Sequence, residues 1–310
     1  MNPKILKVKI WNWNCDLDEI VEGLKKKKNI LLVENWRDAD VLVLWNEIER
    51  AGWRDIIRQA QKLKKKVILY QQGIWGIDRV APPFNEPIIS DKVLVWGEGD
   101  KKRLISWGVP EKKIVITGSP VVKKIQELTI RKPHKEKNIT FVLEHWEEED
   151  VPENGIVAAE LRKLKYDGIR VMTKALKGEH NLAIYDNVVA TYRHENNHLK
   201  VIAALLSETD LVVAISESTF SLFAEVLDIP IVIADIWIPK ERAGEESYKE
   251  YRHPFTDAIT LVKLPDLIPT IKYQLKHPEI KREERKLRAL ENGGTNIKDP
   301  VGNIIKEIIC

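Results

Sequence analysis

Leu211-Val-Val-Ala-Ile215 runs into Ser216-Glu-Ser-Thr219. That turn opens into Phe220-Ser-Leu-Phe-Ala-Glu-Val-Leu227, and a second apolar run follows, Ile231-Val-Ile-Ala234. The two outer runs are short, β-branched and without alternation, as strands covered on both faces are. The middle stretch places Phe220, Phe223, Ala224 and Leu227 at helical spacing. Strand, helix and strand in this order are the unit from which parallel sheets are built.

The unit recurs in both directions. Upstream, strands are predicted at Ile139–Leu143, Ile169–Thr173, Ala183–Tyr185 and Val188–Thr191, with helices over Ile156–Leu164 and Asn196–Ser207, besides Ser218–Leu227 of the unit itself. Further upstream the same apolar runs appear at Ile5–Trp11, Ile30–Glu34, Val41–Trp45, Val67–Gln71, Val93–Trp96 and Ile114–Thr117. Amphipathic stretches separate several of them, at Asp16–Lys27, Ala51–Leu63 and Asp100–Trp107. Downstream, Leu267–Leu275, Ile280–Leu290 and Val301–Ile309 read as helices, and the charged Lys240–Tyr251 as a solvated one. The pattern pauses once, at the charged, Pro-containing Arg131-Lys-Pro-His-Lys-Glu-Lys-Asn138. The expected fold class is therefore α/β, with two Rossmann-like doubly wound parallel-sheet domains facing a central cleft. The expected divisions are 1–130, an acceptor-side domain, 131–295, a nucleotide-donor domain, and 296–310, a C-terminal helix that packs back on the first domain.

The chain has 310 residues, 44% of them hydrophobic, enough for two cores of ordinary size. Its 50 Lys and Arg face 47 Asp and Glu, a net +3, which speaks against a nucleic-acid partner. The two cysteines, Cys15 and Cys310, form no disulfide framework, and a reducing compartment is expected. The first ten residues carry charges through their apolar run, unlike a signal peptide, and no run approaches the ~18 apolar residues of a membrane span. A cytoplasmic protein is the expectation, and the Lys, Glu and Ile richness points to a thermophilic source. Most of the ten Trp precede residue 110, as either packing or a stacking surface for a ring.

In doubly wound sheets, ligands sit beyond the carboxyl ends of the strands. Ser216, Ser218 and Thr219 stand there, at the start of a helix whose amides and dipole favour an anion, as a phosphate site requires. Glu225 lies seven residues after Ser218 on nearly the same face, roughly 10 Å along the axis. It leans back towards the helix start and fits the ribose diol of the same nucleotide. The bland alternative is an ordinary capped helix with an exposed Glu. Gly118 and Ser119, after another strand, permit close approach to a phosphate, or form a plain turn with Pro120 at the first helical position. Glu144 and His145 follow the strand Ile139–Leu143 and can serve as general acid and base, or be solvated beside the acidic run Glu147–Asp150. Arg193 is a candidate phosphate contact. His194 and His198 are four apart but lack further ligands at metal spacing, so no metal is expected. Asp235 ends the strand Ile231–Ala234 and can meet a donor sugar.

The segment Asp210–Ile233 resembles the donor-site segment of two-domain nucleotide-sugar enzymes of the GT-B type. Leu94-Val-Trp-Gly-Glu-Gly-Asp100 and Gly108-Val-Pro-Glu-Lys-Lys-Ile-Val-Ile-Thr-Gly-Ser-Pro120 resemble the end of the first domain in the same superfamily. Within that superfamily the chain resembles the CDP-glycerol glycerophosphotransferases and UDP-N-acetylglucosamine 2-epimerase-like proteins. The resemblance spans roughly residues 66–235. It implies a nucleotide-diphosphate donor, UDP- or CDP-linked, as the sole cofactor, with a glycan or other small acceptor, and it allows a homodimer. It also makes Lys174 and His180 candidates to approach the donor phosphates, the alternative being a solvated loop. In the loop Gln71-Gln-Gly-Ile-Trp-Gly76 the resemblance places a His where Gln72 stands. Gln cannot take up a proton at neutral pH. Gly73 and Trp75 of that loop still suit a sugar or anionic group. Three readings follow. The first is a glycosyltransferase-like, metal-independent enzyme. The second is an epimerase or hydrolase acting within a UDP-sugar. The third is a binding protein that has lost its base.

Overall fold

The computed structural model describes residues 5–11, 17–45, 47, 52–73, 88–131, 135–143, 145–146, 149–150, 152–176, 185–191, 197–236 and 257–310. The chain divides into two compact units, Met1–Lys123 with Leu290–Cys310, and Lys124–Ala289.

The first unit is built on six parallel strands, β1 (Leu6–Ile10), β2 (Ile30–Leu32), β3 (Val41–Leu44), β4 (Lys66–Tyr70), β5 (Lys92–Val95) and β6 (Ile114–Ile116). Their spatial order is β2-β1-β3-β4-β5-β6. The connections are α1 (Asp18–Lys25), α2 (Trp53–Lys62) and α3 (Glu98–Ser106), and α4 (Pro120–Leu128) leads into the second unit. β3 is apolar at every position, and β4 at every position after Lys66, because helices cover both faces.

The second unit repeats the plan with β7 (Lys137–Val142), β10 (Ile169–Leu176), β11 (Val188–Thr191), β12 (Leu211–Ala214), β13 (Ile231–Ala234) and β14 (Thr260–Val262). Between β7 and β10 lies a two-stranded antiparallel ribbon, β8 (His145–Trp146) and β9 (Glu149–Asp150). The helices are α5 (Pro152–Leu161), α6 (His198–Ser207), α7 (Thr219–Val226), α8 (Leu267–Lys276) and α9 (Arg282–Gly293). The six main strands are all parallel, in the order β11-β10-β7-β12-β13-β14. The chain thus starts at the middle strand, builds outward to β11, then returns to add β12 on β7's other side. That return makes the β7/β12 boundary the topological switch point of this sheet. One face packs Ile139, Phe141, Leu211 and Val213 against Val157 and Leu161 of α5 and Leu267 and Ile271 of α8.

The last helix, α10 (Pro300–Ile309), belongs to the first unit. Ile304, Ile305 and Ile308 share one buried cluster with Ile20 and Leu24 of α1 and with Val41, Val43 and Ile68 of the sheet. The segment before α10 passes close to the backbone. Gly294 has φ +61°, and a Cβ there would lie 2.2 Å from the Trp96 carbonyl oxygen. Only glycine satisfies both conditions.

The elements differ from the sequence expectation in a few places. β10 runs on to Leu176 because residues 173–176 pair with β11, so Lys174 lies within a strand and not after one. β14 is only three residues long and half-exposed, too short to show as an apolar run. Part of the acidic run Glu147–Asp150 forms β9, paired with β8. Tyr185 of the expected strand Ala183–Tyr185 is a bend, and residues 183 and 184 lie outside the described residues, as does the charged stretch 240–251.

Candidate functional site

The switch point of the second sheet is occupied by the turn after β12. Val213 of β12 pairs with Phe141 of β7, so the ends of these two strands lie side by side. Ser216 is 9% exposed, and Ser218 is the N-cap of α7 with extended backbone, φ −146° and ψ 173°. Ser218 and Ser221 form a reciprocal capping box, in which the better formed arm is Ser218 N–H donating to Ser221 Oγ at 3.3 Å. The Ser218 hydroxyl is buried and has no hydrogen bond of ordinary geometry among the described residues. Thr219 begins the helix. The amides of this first turn point out of the helix end, where the dipole is positive.

Beneath the tip lies an ion cluster. Arg288 Nη1 donates to Glu217 Oε1 at 3.1 Å and to Glu225 Oε1 at 2.5 Å, and all three residues are at most 5% exposed. Burial pushes the Glu225 carboxyl up to about 8, with Arg288 pulling it down and Glu217 pushing it further up. Two carboxylates on one guanidinium thus retain a proton near neutrality. With Glu225 protonated the trio sums to zero, and the dipole of α7 acts on an incoming anion without opposition from the acidic turn. The next turn is pinned separately, since Asp228, with φ +56°, accepts from Arg285 Nη2 at 2.7 Å. The sequence expectation had Glu225 reaching back to an open ribose site. In the structure Glu225 is 1% exposed, and its carboxyl is held by Arg288 of α9.

The other residues expected at the site divide by unit. In the second unit, Lys174 lies on β10, half-buried, and its carbonyl accepts from Leu143 N–H at 3.0 Å. Asp235 is exposed just after β13, and its N–H donates to Val262 O at 2.7 Å. Thus Ser216, Ser218, Thr219, Lys174 and Asp235 come from three strands of one sheet near its carboxyl edge. His145 begins β8, next in sequence to that edge. Glu144 and Arg193 lie outside the described residues, as do His180 and His194. His198 is described, as the first residue of α6.

In the first unit, Gln72 and Gly73 follow β4 and are half-buried, and Trp75 lies outside the described residues. Gln71 is fully buried, and its Oε1 accepts from Trp96 N–H at 2.9 Å, which ties the ends of β4 and β5 together. Gly118 has φ +80°, and a Cβ would lie 2.9 Å from Ile297 Cγ2 and 3.1 Å from Pro300 Cβ. Ser119 is 2% exposed, and its Oγ accepts from Val122 N–H at 3.2 Å, capping α4. Both residues thus have a packing reason to be what they are.

Sequence reasoning passed over Arg288, Glu217 and Glu153. Arg288 sits in Arg-Glu-Glu-Arg-Lys-Leu-Arg, a string that looks solvated throughout. Glu217 reads as the filler of a serine-rich turn. Glu153, in the first turn of α5, is 6% exposed, with Oε2 buried and without a hydrogen bond among the described residues. No local signal distinguishes these groups from exposed charges. Among the described residues no group of three His, Cys, Asp or Glu side chains is arranged to hold a metal, and no helix is long and apolar enough to cross a membrane.

No family model and no curated protein matches the sequence. Solved structures do match in shape. The UDP-GlcNAc 2-epimerase of Neisseria meningitidis, solved with UDP-GlcNAc, shares 15% identity at a TM-score of 0.59, over 99% of this chain and 98% of that one. The S. aureus MnaA–UDP structure shares 11% identity at 0.63, over 98% and 95%. The wall teichoic acid polymerase TagF shares 12% identity at 0.62, over 100% and 89%. With two six-stranded parallel sheets, each flanked by helices, the chain has the GT-B fold of these proteins.

Proposed function

We propose that the chain binds a nucleotide-diphosphate donor through the α7 tip and transfers its sugar, or a glycerophosphate, to a small acceptor. One observation carries this reading: the Ser216–Thr219 turn and the N-terminus of α7 stand at the topological switch point of a six-stranded parallel sheet. The diphosphate would lie on the first-turn amides and the Ser218 hydroxyl. Lys174 supplies a point charge, and Asp235 meets the sugar. Negative charge developing on the leaving diphosphate is stabilised by dipole and cation already in place. Glu225 enters as a positioning residue, holding the tip through Arg288. Support by likeness comes from structural neighbours whose crystals hold UDP-GlcNAc and UDP.

Gln72 favours a second reading, a binding protein that lacks the base, because a side-chain amide cannot accept the acceptor's proton. Calorimetry with UDP, CDP, GDP, ADP and dTDP tests the shared part. At least one should bind, and Ser218→Ala should weaken it about tenfold, the worth of one hydrogen bond to a charged group. No binding of any of the five, or an unchanged affinity in the variant, removes the site. Turnover then separates the readings. Transfer needs added acceptor, epimerisation or hydrolysis proceeds without one, and a pure binder does neither.

A further inference from the structure

A groove of about 770 Å³ lies at the opposite, amino-terminal edge of the second sheet, apart from the α7 tip. Its floor is made by Asn138 and Arg170, which are direct partners across β7 and β10 and so point to the same face. One wall is α6, where Ala203, Ala204 and Ser207 are small and leave the space open, with Lys200 one turn earlier. The other wall is the connection after α4, which brings Ile130 and Lys135.

Asn138 is the informative member. It is 5% exposed, yet its Oδ1 is buried without a hydrogen-bond partner among the described residues. Its backbone is satisfied, since its N–H donates to Asp210 Oδ2 at 2.9 Å and its carbonyl accepts from Asp210 N–H at 2.8 Å. The side-chain oxygen is therefore the unsatisfied atom of this residue. A buried acceptor left unmade is costly, and because Asn138 lines a groove of ligand size, a ligand donor reaching this oxygen would satisfy it. Around it stand three cations, Lys135, Arg170 and Lys200, against two carboxylates, Glu136 and Glu208. The Arg170–Glu208 pair is loose at 3.8 Å, leaving guanidinium donors available. Ile130, 69% exposed, offers an apolar wall.

We infer that this groove binds a small phosphorylated polyol or sugar. The phosphate lies among Lys135, Arg170 and Lys200, hydroxyls donate to Asn138 and the carboxylates, and the C–H face rests on Ile130. Arg with two Lys suits a phosphate dianion, and hydroxyls are the donors that an amide oxygen and carboxylates accept. The site is independent of the donor reading above and survives if that reading fails.

Calorimetry on the full chain with inorganic phosphate and with glucose monophosphate tests it. Glucose monophosphate should bind saturably and more tightly than inorganic phosphate. The double variant Arg170→Gln with Lys200→Gln, both at exposed positions, should weaken it about tenfold or more while the protein stays folded. Asn138→Leu removes the orphaned acceptor, so it should weaken binding and raise Tm by about 2–4 °C. Ser218→Ala should leave it unchanged. The inference is overturned if glucose monophosphate does not bind, if the double variant binds it as well as the parent, or if Ser218→Ala alone abolishes binding. Equal affinity for the two probes overturns the polyol half.

Discussion

A single nitrogen of Arg288 serves two buried carboxylates, and this has measurable consequences at the scale of one residue. Replacing Arg288 by Met removes the guanidinium that bonds both Glu217 and Glu225. Loss of one partner of a buried pair costs about 3–5 kcal/mol, which urea denaturation of the variant should show. The Glu225 carboxyl is raised from its ordinary 4.5 to about 8, chiefly by burial. The folded state therefore holds a proton that the unfolded chain has given up. Its contribution to stability is complete below about pH 4.5 and declines as pH rises from there through about 8. Glu225→Gln keeps a hydrogen-bonding head with no proton to lose, so Tm between pH 5 and 8 should depend less on pH than in the parent. Equal slopes in the two proteins would refute the shared proton. The two ends of this interaction were unequally legible. Ser218 announces itself, because a serine between an apolar strand and an amphipathic helix has one evident task. Arg288 does not, because its partners are about 60–70 positions away in sequence and nothing in a charged helix marks which charge turns inward.

At the scale of elements, strand-and-helix alternation was readable wherever burial on both faces makes a strand uniformly apolar. It failed where pairing, not apolarity, defines the strand. β14 is short and half-exposed, and β9 is made of Glu149 and Asp150, residues that local propensity assigns to loops. Lys174 was placed after a strand for the same reason, since only pairing with β11 extends β10 past it. The site was legible to the extent that it belongs to one helix tip. The burial of Glu225 was not, since it depends on α9. The approach of Gly294 to Trp96 makes an element-scale prediction. Gly294→Ala should destabilise the first unit by about 3 kcal/mol, the left-handed backbone and the steric overlap each contributing. Calorimetric unfolding should show the loss, and the same substitution at Gly155, with open space around it, should cost far less. On α10, Ile304→Ala opens a cavity against α1 and should cost about 2–5 kcal/mol by denaturant unfolding.

At the scale of the molecule, the first unit is discontinuous in sequence, since its core takes α10 from the far end of the chain. A chain ending at residue 289 should retain a cooperatively unfolding second unit. Its first unit, with the α1 face uncovered, should bind a hydrophobic dye and lose its own transition, which fluorescence and calorimetry would record together. The second unit, by contrast, is one unbroken stretch from Lys124 to Ala289. During translation this ordering matters. The β1–β6 strands leave the ribosome early, yet the residues that seal their core are polymerised only after the whole of the second unit, so the first stretch of the nascent polypeptide must wait, sticky and incomplete, until the second has been made.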